Sequence, residues 1–159
     1  MNRRHLMNLF SLFGITSAAA APKAEPARAD FIHHPDEEWH RLLSPAAYSV
    51  MRQEGTERPF TSPLNAEKRS GTYQCAGCAL PLFSSQAKFD SGTGWPSFHT
   101  PLPEALATRT DFKLILPRTE YHCARCGGHQ GHVFDDGPRP TGKRYCNNGV
   151  ALHFVPEAA

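Results

Sequence analysis

Five cysteines hold most of the chemistry available to this 159-residue chain, and their spacing divides them four to one. Cys75-Ala-Gly-Cys78 and Cys123-Ala-Arg-Cys126 are two CxxC pairs, and Cys146 stands alone. Two residues between thiolates let both sulfurs of one turn reach a metal at about 2.3 Å, and two such turns fill the tetrahedral positions of zinc. The pattern predicts one structural Zn2+ per chain on Cys75, Cys78, Cys123 and Cys126, with no position left open for a substrate. Disulfides among these four, or a redox-active CxxC, are the competing readings. Zinc is preferred because there are two CxxC units, and a disulfide closed within CxxC is strained where a four-thiolate site is not. The interval from Cys78 to Cys123 exceeds that of a usual zinc ribbon, so the metal should join two distant hairpins. Cys146 remains as the one thiol free to react.

The neighbours of Cys146 suit a reactive thiol. In Arg144-Tyr145-Cys146-Asn147-Asn148, Arg144 and Asn148 lie two residues to either side and share its face if the segment is a strand. A nearby guanidinium lowers a thiol's pKa and raises the thiolate fraction. Upstream, Gly128-His129-Gln130-Gly131-His132-Val133-Phe134-Asp135-Asp136 supplies two histidines and two carboxylates. Together these form a nucleophile, a general acid and an orienting carboxylate. His129 and His132 as zinc ligands are disfavoured, since four cysteines already complete a structural site. A third segment, Lys88 to Phe98, carries Gly92-Thr93-Gly94-Trp95-Pro96. On composition alone Trp95 reads as a core aromatic.

The elements that must hold these residues follow from local signals. Asp36-Glu37-Glu38 places acid in a first helical turn, and Ser44-Pro45 is a cap followed by proline at N1. Helices are predicted over 36–43 and 45–54, ended by Gly55 and burying Trp39, Leu43, Tyr48 and Met51. From Gly71 onward the text changes to short β-branched or aromatic runs between Gly/Pro/Asp turns, with strands predicted over 71–74, 112–116, 121–122, 132–134, 143–146 and 150–154. The class is α+β, mostly β and antiparallel.

The N-terminus reads differently. Arg3-Arg4, a short apolar run from Leu9 to Ile15 and an alanine-rich exit describe a bacterial signal peptide, and the paired arginines point to the twin-arginine route. Residues 1–29 are assigned to the signal and the start of a linker, and 30–159 to one domain exported to the periplasm. The apolar run is too short to span a bilayer, so no stable membrane insertion is expected. A formal charge of +2 without any basic stripe excludes nucleic acid as a partner.

These motifs resemble those of the B-type methionine sulfoxide reductases, which act on the R epimer. The resemblance rests on the two CxxC pairs, Lys88-Phe89-Asp90-Ser91-Gly92-x-Gly94-Trp95-Pro96-Ser97-Phe98, Gly131-His132-Val133-Phe134-Asp135-Asp136-Gly137-Pro138 and Arg144-Tyr145-Cys146-x-Asn148. It also covers Arg52-x-x-Gly55-Thr56-Glu57-x-Pro59-Phe60-Thr61 and runs from about residue 36 to 156. It implies two antiparallel sheets stapled by zinc away from the active site, and a Cys146 nucleophile. His129, His132 and Asn148 would bind and protonate the sulfoxide oxygen, Asp136 and Arg144 would position them and tune the thiolate, and Trp95 with Phe134 would wall the S-methyl group. Substrates would be oxidised proteins or free methionine sulfoxide, the enzyme a monomer. Thr93 stands where many relatives carry a resolving cysteine. The sulfenic acid formed on Cys146 would therefore need an external reductant, thioredoxin-like, glutaredoxin-like or a small thiol. Asn147 and Gly149-Val150 also depart from the commoner small or apolar residues. A zinc-stapled binding module and a sulfenic-acid redox sensor are the alternatives without turnover.

Overall fold

The computed structural model describes residues 28–112 and 117–158. Residues 1–27 of the segment expected to be a signal, and 113–116 of the strand expected over 112–116, lie outside them. Two helices come first: α1, Asp36–Leu42, with three acids in its first turn, and α2, Pro45–Gln53, whose Ser44 Oγ accepts the Ala47 N–H. Trp39, Leu43, Tyr48 and Met51 are buried as the pattern required. The α2 terminus differs from expectation. Glu54, not Gly55, takes the left-handed conformation, at φ 55°.

Nine strands follow among the described residues: β1 Gly71–Cys75, β2 Pro81–Ser84, β3 Lys88–Phe89, β4 Ser97–Phe98, β5 Leu106–Asp111, β6 Arg118–Cys123, β7 His129–Phe134, β8 Arg144–Asn147 and β9 Leu152–Pro156. They make two antiparallel sheets, ordered β2-β1-β9 and β3-β4-β8-β7-β6-β5. Phe112, the one described residue of the strand expected over 112–116, lies just past the end of β5. β5 itself, Leu-Ala-Thr-Arg-Thr-Asp, is an edge strand with mostly polar, exposed side chains, so it lacks the alternation that marks a half-buried strand.

The sheets meet through aromatic rings. Phe83 of β2 stacks on Phe98 of β4 at 4.2 Å and 9°, and Tyr73 of β1 meets Phe98 edge-on at 4.9 Å. All three are fully buried, and such pairs add roughly 0.5–1.5 kcal/mol beyond area burial. No helix among the described residues is long and apolar enough to cross a membrane.

Candidate active site and metal centre

The cysteine pairs occupy equivalent turns in different sheets. Cys75 ends β1 and Cys123 ends β6, so each CxxC lies in the hairpin that follows. In both, the first cysteine's carbonyl accepts the N–H four residues on, from Ala79 at 2.8 Å and Gly127 at 2.9 Å. Ala79 and Gly127 both adopt positive φ. The turns face each other: all four Sγ atoms lie within 4.8 Å, with Cys75–Cys126 at 3.6 Å and Cys78–Cys123 at 3.5 Å. These separations are far beyond a disulfide's 2.0 Å and near the roughly 3.8 Å edge of a tetrahedral four-thiolate site built on 2.3 Å bonds. The donor set therefore fits a metal ion and joins two distant hairpins. Helix α2 braces it: Arg52 Nη1 donates to the Cys126 carbonyl at 3.0 Å and stacks over Trp39.

Cys146 lies in a row of side chains crossing the larger sheet. Register pairs Ser97 with Cys146, Cys146 with His132, His132 with Glu120, and Glu120 with Arg109. Opposed residues of adjacent strands share a face, so a hydroxyl flanks the thiol on one side and an imidazole on the other. In a regular strand His129 and His132, three apart, point to opposite faces. A bulge at Gln130, between the pairs Tyr121–Gly131 and His122–His129, inserts one residue and brings both rings together at 5.5 Å. Close passage of β8 requires glycine at 131, where a Cβ would lie 1.9 Å from the Cys146 carbonyl oxygen.

The thiol borders a cavity of about 150 Å³ lined by Trp95, Phe134, His132, Arg118, Thr56 and Asn148. Burial pushes the Cys146 thiol above its ordinary pKa, opposed by the Arg144 charge and by hydrogen bonds from Thr93 and Arg144, with the Asp136 charge a further upward push. Arg144 is gripped by both oxygens of Asp136 at 2.8 and 2.9 Å, and its guanidinium stands 4.4 Å over the Phe134 ring. Trp95 is fixed by Nε1 donating to the Glu57 carbonyl at 2.9 Å, and Gly94 before it takes φ 93° against Phe60. Asn148 Oδ1 accepts the Glu57 N–H and its Nδ2 donates to the Gln130 carbonyl, both at 2.9 Å. One of its two amide protons is thereby committed to the backbone.

The two carboxylates that follow His132 pair with cations rather than with the histidines. Asp135 pairs with Lys143 and Asp136 with Arg144. The histidines are held instead by Asp111 and Glu120. His132 Nε2 lies 2.8 Å from Asp111 Oδ2, which Arg118 Nη2 also contacts at 2.8 Å. His129 Nδ1 lies 2.6 Å from Glu120 Oε1, with both residues under 5 % exposed, and Arg109 completes the pairing of Glu120. Burial raises Glu120's pKa, but His129 and Arg109 outweigh it and bring the carboxyl down to about 2. Burial lowers the pKa of His132 more than Asp111 raises it. Both shifts favour the uncharged forms, imidazole for His132 and thiol for Cys146. Asp111 and Glu120 are distant in sequence from the histidines. Their one local signal was a lone acid among the polar and aromatic residues of Arg118-Thr119-Glu120-Tyr121.

Residues 43–156 match the SelR domain family. The chain is 55% identical over 121 residues to "Peptide methionine sulfoxide reductase MsrB" of Pseudomonas putida (strain W619), covering 76% of this chain and 91% of that protein. This chain belongs to the MsrB family. Other MsrB relatives span kingdoms. "Peptide methionine sulfoxide reductase B1, chloroplastic" of Arabidopsis thaliana is 46% identical, covering 89% of this chain and 73% of the relative. The MsrB of Methanosarcina barkeri is 51% identical, covering 77% and 87%. The fold agrees with the expectation for MsrB: mostly β, two antiparallel sheets, short N-terminal helices and a four-cysteine cluster.

Proposed function

We propose that this oxidoreductase reduces methionine-R-sulfoxide, in proteins and as the free amino acid, through a sulfenic acid on Cys146. The supporting observation is Cys146 paired in register with His132, at a cavity walled by Trp95 and Phe134. Indole and phenyl faces accept an S-methyl group, while the sulfoxide oxygen faces His132, His129 and the uncommitted Asn148 N–H. The thiol proton passes through His132 to that oxygen as Cys146 sulfur attacks. The S–O bond to methionine breaks, an S–O bond to Cys146 forms, and methionine keeps the electron pair. Products are methionine and Cys146–SOH, the reversible first rung of thiol oxidation. Arg144, held by Asp136, supports thiolate character as the proton leaves.

Recycling uses an external thiol. Thr93 offers a hydroxyl, and the other four cysteines form the cluster. An external thiolate attacks the Cys146 sulfur, releases water and forms a mixed disulfide, which a second thiol resolves. The cluster is read as a zinc centre, which supplies covalent-like closure of the two hairpins and takes no part in the reaction. The protein is read as a monomer exported to the periplasm by the twin-arginine route, a reading carried by Arg3-Arg4 and the alanine-rich exit. Cell fractionation of tagged protein, with Arg3-Arg4 replaced by Lys-Lys, tests the route. Turnover assays with both epimers and dithiothreitol test the activity. Reduction of the R epimer alone is expected. No reduction by protein with an intact, alkylatable Cys146 would favour the sensor reading.

A further inference from the structure

Three side chains unused in the reaction above form a buried hydrogen-bonded chain: Tyr121, Asn147 and Gln130, each 0 % exposed. Tyr121 Oη donates to Asn147 Oδ1 at 2.8 Å, Asn147 Nδ2 to Gln130 Oε1 at 3.2 Å, and Gln130 Nε2 to Cys75 Sγ at 3.6 Å. Asn147 Nδ2 also donates to the Asn148 carbonyl at 2.9 Å. The Gln130 carbonyl accepts both the main-chain and the side-chain N–H of Asn148, each at 2.9 Å. One end of the chain is a sulfur of the cysteine cluster and the other the Tyr121 hydroxyl, with Asn147, the residue that follows Cys146, as an interior link. Gln130 is also the bulge residue that turns His129 and His132 to one face.

The direction of the chain is set from the sulfur. A metal-bound thiolate has no proton and only accepts, so Gln130 must aim its NH2 at Cys75 and its carbonyl oxygen at Asn147. Asn147 must then offer Nδ2 to Gln130 and Oδ1 to the Tyr121 hydroxyl. Buried polar groups of this kind add little net stability compared with apolar side chains of the same shape, yet leaving one unpaired is costly. What such a chain supplies is orientation.

We propose that Gln130 and Asn147 are positioning residues that couple the four-cysteine centre to the placement of Cys146 and Asn148. The proposal rests on Cys146 being the reacting thiol. The metal centre then acts on the catalytic strand through two side-chain amides as well as through hairpin closure.

The test is Gln130→Leu in zinc-loaded protein, with three readouts: zinc release to a chromogenic chelator, the pH midpoint of Cys146 alkylation by iodoacetamide mapped by mass spectrometry, and kcat and KM for methionine-R-sulfoxide. Zinc release should accelerate about tenfold, the range seen when a ligand's outer hydrogen bond is lost. The alkylation midpoint should rise as Cys146 shifts from Arg144 and Thr93, and kcat should fall with KM nearly unchanged. The triple variant Tyr121→Phe/Gln130→Leu/Asn147→Ile leaves no polar group unpaired. It should fold with a Tm at or above the parent's while keeping the zinc-release and alkylation defects. Faster zinc release with an unchanged alkylation midpoint in Gln130→Leu overturns the coupling. So does a triple variant that matches the parent at both sites, or one that fails to fold. Zinc release and alkylation need no sulfoxide turnover, so failure of the reductase reading shows separately, as a parent with no turnover.

Discussion

The two cysteine turns and the Cys146 pocket are built on opposite plans. Each turn is one local device: a strand end, a carbonyl accepting four residues on, and a left-handed residue at 79 or 127. Its geometry is complete within a few residues, and only the docking of one turn on the other depends on the fold. The pocket has no local unit. Its side chains come from β6, β7, β8, the loop before β4 and the segment at 56–57, and its histidines are steered by carboxylates on β5 and β6. A local device suits stability, because a metal ion held by the four cysteines would close chain between remote hairpins. A dispersed pocket carries chemistry, because a thiol, an imidazole and an aromatic wall can be tuned separately.

The largest expected effect separates the two plans by one atom each. Cys146→Ser should abolish sulfoxide reduction, a loss of at least about a thousandfold, as expected when a covalent nucleophile is removed. Its Tm and zinc content should match the parent's. Cys123→Ser should do the reverse kind of damage, costing several kcal/mol because binding of structural zinc, worth roughly 10–16 kcal/mol in small zinc domains, is folding free energy. Urea titration and metal analysis check both. A Cys123→Ser protein with parental stability would erase the contrast.

Glu120 tests whether the pocket also has a structural share. Glu120→Gln breaks a buried pairing with His129 and should cost roughly 3 kcal/mol at pH 7. The sign of its pH dependence is fixed. The folded pKa of about 2 lies below the unfolded value near 4.5, so the stabilisation is complete above pH 4.5 and fades as pH falls toward 2. Urea midpoints of parent and variant should therefore converge between pH 4.5 and 2, and a gap that widens on acidification would contradict the assignment.

The smallest effect concerns Asp136, whose side chain is 62 % exposed. Burial holds the Cys146 pKa up, and the Asp136 charge adds to this while neutralising Arg144. Asp136→Asn should therefore lower the thiol pKa and speed alkylation at neutral pH about two- to threefold. Turnover should fall modestly, as Arg144 loses its clamp. Slower alkylation would show that holding Arg144 outweighs the charge.

What the sequence revealed follows the same division. The cysteine cluster, the Ser44-Pro45 start of α2 and the buried face of the helices were legible because each signal lies within one turn or one period. The resemblance grouped Trp95, Phe134, His132, Arg144 and Asn148, where composition alone put Trp95 in the core, and the structure brings them around Cys146. Asp111 and Glu120 were missed because pairing across β5–β6–β7 depends on a bulge that no local pattern announces. β5 was missed because its exposed polar side chains erase the alternation, and the end of α2 was misplaced by one residue because Gly55 hid the left-handed Glu54.

The central claim is that one thiol reacts and four do not. Zinc-loaded protein treated with one equivalent of methionine-R-sulfoxide, without reductant but with a sulfenic-acid trapping reagent, should give a single adduct on Cys146 and no disulfide in peptide mass spectra. A disulfide joining Cys146 to Cys75, Cys78, Cys123 or Cys126, or an adduct on any of those four, would contradict it.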